Sequence, residues 1–497
     1  MTTLVFDPSA RRLEDGRVLI GGHPARLLRL TAAGARMVDA WRMGAGVGAS
    51  PGARALADRL IAAGLAHPRP APGAVTTADV AVVIPARDRP GTLAACLARV
   101  GPCREIVIVD DGSSEPIAAP PGTRVVRRDV SGGPAAARNA GLAATDSPFV
   151  AFLDSDTLPC EGWLQPLLAH FGDPRLAAIA PRVRVPAGRS ALARYEAARS
   201  PLDLGPDPGL VGPGRRVGFV PAAALVVRRA AVPTFDEALR FGEDVDLVWR
   251  LAAAGWTVRY EPASVVEHPH RATLAAWLRQ RAAYGSSAGP LASRHPGQMR
   301  HVVVPPDALL PWALALAGRP RLALLAALPR NALLGVVRRG PAAARDASRR
   351  PDSPPAGAGD RAPAPPVAGP PPTGPANRAP APPRPDAPPP HPADRALARL
   401  ALEARARTAR QIADAAWRAH APALVITKRG RRFLAAALVA GAAADYLARR
   451  PALDPLRFTA LRAADDLAYA AGVWAGCVRA RTVQPLVPKT TPRRRSA

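Results

Sequence analysis

The chain has 497 residues, 48 % hydrophobic and only 4 % aromatic, enough for two to four domains and at least one sizeable core. Its net charge of +28 comes almost wholly from Arg, since Lys428 and Lys489 are the only lysines, and with 59 Pro this fits either GC-rich coding or an anionic partner. Four cysteines without CxxC or Cys/His spacing argue against a structural zinc or a disulfide framework. The charge is uneven: residues 301–497 hold 31 of the 67 basic residues but 12 of the 39 acidic ones.

In chain order, LVF at 4–6, the turn Asp15-Gly16 and RVLIGG predict a β-hairpin. Thr31 is an N-cap for AAGARMVDAW, and a second helix over 53–64 offers Leu56, Leu60 and Ile61. Residues 1–70 therefore read as a small winged-helix-like α+β module, with 66–78 as a Pro-containing linker. The N-terminus, MTTLVFDPSARR, lacks an apolar signal region, which places the start of the chain in the cytosol. Over 79–300, VAVVI (80–84), EIVIVD (105–110), RVV (124–126), FVAFLD (149–154) and AALVV (223–227) read as buried strands. Segments 91–100, 134–145, 162–171 and 243–254 read as helices. Strands alternating with helices imply an α/β domain with a mostly parallel sheet.

Residues 301–339 carry apolar helical runs. Residues 340–394 are low complexity, with 18 prolines between Pro351 and Pro392, and read as a disordered linker. Residues 395–480 are helical and Ala/Arg-rich. No apolar run reaches the roughly 20 residues of a spanning helix. Interfacial association with a membrane surface and ordinary packing on the catalytic core are both open.

The chemistry-bearing residues sit at the ends of these elements. Ligands bind at the carboxyl ends of parallel strands, which gathers Asp110, Asp111, Asp154 and Asp156 at one crevice. Asp154 and Asp156, spaced i, i+2, suit a hard divalent cation such as Mg or Mn that bridges phosphate oxygens. Asp110 and Asp111 suit a base or ribose. Gly132-Gly133 turns into a helix whose Arg138 and Asn139 suit phosphate or ribose contacts. Glu243-Asp244 at a helix start offers a general base for an acceptor hydroxyl. A strand-end Asp taken singly is more often a turn former or cap; it is the order of the set that carries weight.

VVIPARDRP, VDDGSS, FLDSDT and GEDVDLVWRL together resemble family 2 glycosyltransferases of the GT-A fold, over about residues 80–285. The resemblance implies a nucleotide-sugar donor, direct inverting displacement and a divalent metal. It implies that Asp88, Asp110 and Asp111 lie against the donor's uracil and ribose, joined by Pro85, Arg138, Asn139 and Asp154 in donor binding. Asp154 and Asp156 would form the metal motif, with Asp156 the direct ligand. Asp244 would be the catalytic base and Glu243 would shape the acceptor site. His268, in VVEHPHR, stands where some GT-A enzymes have a further metal ligand, and His270 is a weaker candidate. The stretch WLRQRAAYGSS (277–287) lacks the Trp of processive synthases, which argues against polymer export. Its Arg279, Arg281 and Tyr284 either face donor or acceptor or form a solvated helix face.

The whole-chain arrangement resembles the glycosyltransferases of mycofactocin biosynthesis, with residues 1–70 similar to PqqD-like peptide-recognition domains. That implies transfer of glucose from UDP-glucose to a peptide-derived small-molecule acceptor, mycofactocin or its precursor, building a short β-1,4-linked chain. Two other readings stay open: a cell-envelope transferase with a lipid-linked or polysaccharide acceptor, and a peptide-binding scaffold with an inactive transferase domain. The basic C-terminal region has few aromatics, so nucleic acid is not the expected partner. A cytoplasmic enzyme, associated with the inner face of the membrane through its basic helices, is the expected location.

Overall fold

The computed structural model describes residues 2–13, 16–299, 303–304, 306–327 and 392–490. The Pro-rich stretch expected to be a linker lies outside the described residues up to Pro392, where a helix starts; Asp15 of the expected turn is also outside them.

The N-terminal residues fold as β1 (Thr3–Phe6), β2 (Arg11–Leu13), β3 (Val18–Gly21), β4 (Arg26–Arg29), α1 (Ala32–Arg42), α2 (Pro51–Ala62) and β5 (Ala66–Arg69). Thr31 and Ser50 cap the two helices by accepting from the amides of Gly34 and Ala53. The expected hairpin is corrected: β2 rather than 4–6 pairs with β3, and β1 pairs with β5. Residues 66–69 are thus a strand rather than linker. Its partner strand lies 60 residues earlier, and Ala66 is fully buried against a core of Leu4, Val38, Trp41 and Leu60. Pro68 is tolerated because β5 pairs on one side only.

The central sheet contains β6 (Val80–Ala86), β7 (Glu105–Asp111), β8 (Thr123–Arg128), β9 (Phe149–Leu153), β10 (Leu158–Pro159), β11 (Leu176–Arg184), β12 (Gly209–Leu210), β13 (Ala224–Arg228) and β14 (Thr257–Glu267). Its order is β10-β14-β11-β13-β9-β6-β7-β8, with β12 on β14. β6 runs parallel to β7 and β9, and β7 to β8. β13 is antiparallel to both β9 and β11, so β11 and its parallel neighbour β14 point the same way as β9. The carboxyl ends of β6, β7, β9, β11 and β14 therefore share one edge.

Two apolar clusters, one on each face, bury this sheet. α3 (Pro90–Leu97), α4 (Gly133–Ala143), α5 (Gln165–Leu168), α6 (Ala191–Arg199) and α7 (Glu243–Ala253) flank it. α4 approaches closely because Gly141 has no side chain; a Cβ there would strike Val83. The expected helix 162–171 is shorter, one α turn followed by a 3₁₀ turn.

A helical layer follows: α8 (Leu274–Ser286), α9 (Ala288–Arg294), α10 (Pro306–Leu316), α11 (Pro320–Ala327), α12 (Pro392–Arg418), α13 (Ala421–Leu424), α14 (Lys428–Arg449) and α15 (Pro455–Arg479). α15 lies directly against α8 and α9. Gly285 meets the Tyr469 carbonyl, Gly472 that of Ala282, Gly476 that of Ser286 and Gly289 that of Gly476, each so closely that a Cβ would collide. Among the described residues, no helix is long and apolar enough to cross a membrane.

Candidate active site

Asp154 and Asp156 follow β9, and His268 follows β14, yet those strands are not neighbours. β10 joins them. It pairs Leu158 with Glu267 and Pro159 with Val266, which sets Asp156 beside His268. Asp156 Oδ1 lies 3.1 Å from His268 Nε2. Donor atoms of Asp154, Asp156 and His268 all lie within 4.8 Å of one another. Arg89 (3.1 Å) and Arg271 (3.4 Å) also reach Asp156. Burial alone would raise the Asp156 pKa; the His268 hydrogen bond and these cations hold it down at about 2. His268 is raised in turn, the Asp156 carboxylate outweighing its burial. A carboxylate pair with one imidazole fits a divalent cation with hard or intermediate preference.

Arg138, from α4, is buried and spans the site. It donates to Asp154 (2.7 Å) and to Glu243 (2.8 Å), and stacks over Phe235. These two carboxylates raise the Arg138 pKa despite its complete burial, so its charge is permanent. Glu243 and Asp244 open α7 after Gly242, whose φ of 83° is one that glycine adopts without strain. Asp244 accepts from the backbone amides of Val245 (2.8 Å) and Ala222 (3.3 Å). Burial, then the adjoining Glu243 charge, push its pKa up to about 7, with Arg138 opposing. A carboxylate with that pKa takes a proton readily near neutrality.

Asp154, Asp156, Arg138, Glu243, Asp244 and His268 line one cavity of about 1380 Å³. Of the residues expected from sequence to contact the donor, several are engaged by their own loops. Asp110 is fully buried and accepts from the amides of Ser113 and Ile117 and from Arg127. Asp111 accepts from Ser131 and from the amides of Gly132 and Gly133, so it caps α4 itself. Asn139 holds the backbone of Phe235 at both its amide groups and reaches Glu237. Asp88 adopts a positive φ of 52° at the mouth of the site and accepts from Ser114; Pro85 lies within β6. Pro85, Asp88, Asp110, Asp111 and Asn139 are not among the residues lining the cavity. They shape the loops whose Gly112, Ser131 and Gly132 do line it. His270 stands outside the three-residue cluster. Arg281 and Tyr284 line the cavity, whereas Arg279 is exposed. Sequence reasoning missed Arg89 and Arg271. Arg271 directly follows the His268-Pro-His pair, and Arg89 directly follows the Arg-Asp after β6; their nearness to those motifs was the available signal.

A carboxyl with a raised pKa and an Asp-Asp-His cluster, lining one cavity at the carboxyl edge of an α/β sheet, have the layout expected of a nucleotide-sugar-dependent glycosyltransferase. Residues 81–231 match the family Glycosyl transferase family 2. The chain is 38 % identical to the pre-mycofactocin glycosyltransferase of Mycobacterium tuberculosis, over 97 % of this chain and 96 % of that protein. It is 31 % identical to the succinoglycan biosynthesis protein ExoU of Rhizobium meliloti, over 37 % of this chain and 59 % of that protein. Solved structures superpose loosely. They include the mannosyltransferase PcManGT of Pyrobaculum calidifontis with GDP-Man and Mn2+ (19 % identity, 54 % of this chain and 81 % of that one, TM-score 0.36). GalNAc-T7 with UDP, GalNAc and Mn2+ is another (17 % identity, 43 % and 51 %, TM-score 0.32). The fold is GT-A, and the chain belongs to the pre-mycofactocin glycosyltransferases of family 2.

Proposed function

We propose that the chain transfers glucose from UDP-glucose to premycofactocin or mycofactocin, with inversion, and builds a short β-1,4-linked glucose chain. The observation that carries this reading is the placement of Asp244 in one cavity with the Asp154, Asp156 and His268 cluster. Asp244 takes the proton of the acceptor hydroxyl as that oxygen attacks the sugar carbon, so no covalent sugar–enzyme intermediate is needed. Glu243, fixed by Arg138, borders the acceptor side. Asp154, Asp156 and His268 would hold a divalent cation, and the imidazole in the set favours Mn over Mg. When bound, that cation supplies positive charge to the departing diphosphate. Arg89 and Arg271 then turn from Asp156 toward the same phosphates.

The acceptor comes from the name of the Mycobacterium tuberculosis relative, and coverage of nearly the whole of both chains supports carrying it over. Residues 1–70 serve as a peptide-recognition module and 79–300 as the catalytic domain. A cytoplasmic location at a membrane surface is supported by exposed Val439, Leu447 and Leu456 beside the arginines of α14 and α15. Purified protein with UDP-glucose, Mn²⁺ and premycofactocin should give successive hexose additions by mass spectrometry. No transfer from any UDP-sugar would overturn the reading; transfer from another UDP-sugar alone would change the donor.

A further inference from the structure

One buried guanidinium serves two parts of the site. The Arg138 side chain on α4 is only 4 % exposed, and its two terminal nitrogens go to different carboxylates, Asp154 (2.7 Å) and Glu243 (2.8 Å). Among the described residues, no other basic side chain is ion-paired with either. The guanidinium is held in place from below. It lies over the Phe235 ring, 5.6 Å from the centroid. Asn139, the next residue of α4, grips Phe235 at both its backbone N–H and its carbonyl, and the Phe235 ring meets Phe152 of β9 edge-on at 5.2 Å. The planar fork of an arginine fits such a double contact; a lysine ammonium, a single point of charge, does not.

The two carboxylates differ in access. The Asp154 side chain is 30 % exposed and that of Glu243 10 %. A cation arriving from solution meets Asp154, one of the three cluster residues, and not Glu243. Until then two carboxylates share one positive charge. Once a divalent cation compensates Asp154, the charge of the guanidinium falls to Glu243 alone. Glu243 adjoins Asp244, and the ionisable groups that face Asp244 among the described residues are Glu243, Arg138 and Tyr284. A Glu243 that is better compensated opposes ionisation of its neighbour less.

We propose that Arg138 is a positioning residue shared between the cation cluster and the base, so that loading the cluster leaves its charge to Glu243 and readies Asp244 beside it. This rests on the proposed cation cluster and base, and it gives Arg138 the task of coupling them.

The test titrates Mn²⁺ into the full chain in the presence of UDP and follows loss of the free Mn²⁺ signal by electron paramagnetic resonance. The wild type should bind. Glu243→Asp keeps the charge and draws the carboxylate back from Arg138 by one methylene. Arg138 then belongs to Asp154 and competes with the cation, so Mn²⁺ affinity should fall about tenfold, the lower range for loss of a residue that supports a metal ligand. In an Arg138→Gln background the same Glu243→Asp change should leave Mn²⁺ affinity unaltered, because its effect runs through Arg138. Arg138→Gln alone should tighten Mn²⁺ and move the rise of kcat/KM to higher pH, since Arg138 is what opposes the Glu243 charge at Asp244. A merely structural role would lower activity without that move. If Arg138→Gln does not fold, Glu243→Asp carries the test. Wild-type Mn²⁺ affinity in folded Glu243→Asp, or weaker Mn²⁺ in folded Arg138→Gln, overturns the sharing and leaves the cation cluster standing. No Mn²⁺ bound by the wild type overturns the cluster and the sharing with it.

Discussion

The carboxyl edge of the sheet and the helical layer use the same residue types in opposite ways. At the donor end, Asp156 is held by Arg89 and Arg271, whose side chains are 50 % and 32 % exposed and lie outside the strands. In the helical layer, the buried Asp445, Asp465 and Asp466 are held by buried Arg281 and Arg462 and by partly buried Arg199 and Arg418. An exposed cation can leave its carboxylate at little cost when a phosphate or metal arrives. A buried one cannot, because the carboxylate left behind would be desolvated and uncompensated. Charge pairs can therefore exchange at the sheet edge, and the helical pairs act as fasteners.

The sharpest way to break this contrast is Asp244→Asn. Removing a general base costs about 10²- to 10⁴-fold in rate, and the loss should appear in kcat with UDP-glucose binding kept. Retained turnover would put the base elsewhere. On the helical side, Asp445→Ala takes one buried carboxylate from Arg410 and Arg462, leaving them Asp414 and Asp466, and should destabilise the fold by up to about 3–5 kcal/mol, the usual effect of removing one partner of a buried pair. Chemical denaturation would measure it; an unchanged midpoint would mean these pairs fasten nothing. Asp156→Ala should weaken Mn²⁺-dependent UDP binding by about 10–100-fold with little change in stability, the reverse of Asp445→Ala. Gly472→Ala should cost about 1–3 kcal/mol by overpacking α8 against α15, and should loosen acceptor use before donor binding.

The pH dependence is the mildest probe. Asp244 is active as the carboxylate and its pKa is raised to about 7, so kcat/KM should rise with pH through that value and level off above it. The stability term has the opposite sign. The fold favours protonated Asp244, so that contribution is complete below the ordinary carboxylate range and is lost as pH rises through about 7. An activity profile flat across this range would remove Asp244 as the titrating base.

Much of the catalytic domain was legible in the chain. The apolar runs at 80–84, 105–110 and 149–154 are β6, β7 and β9, and the acidic start at Glu243 is the first turn of α7. β11 and β14 were not legible. LAAIAPRVR is rich in Ala and carries Pro181, and TVRYEPASVVE carries Pro262 and buried Arg259 and Glu261, which are poor strand signals. Each becomes a strand because the other lies beside it across about 80 residues. The site shows the same limit. Residue order brought out Asp154, Asp156, Glu243, Asp244 and His268. It could not show that Asp110, Asp111 and Asn139 are occupied by their own loops, since that depends on where backbone amides point.

The two-residue strand β10 has a consequence for when the enzyme comes into being. The Asp154, Asp156 and His268 cluster draws both carboxylates from the segment before Leu158 and its imidazole from the segment after Glu267, and β10 is the backbone clasp between them. Because chains emerge from the ribosome N-terminal part first, a nascent chain that has already built β6, β7 and β9 still lacks the imidazole of its cluster. The three-residue cluster is complete only when β14 has been made and laid beside β11, so a chain cut short before His268 would carry most of the sheet and an incomplete cluster.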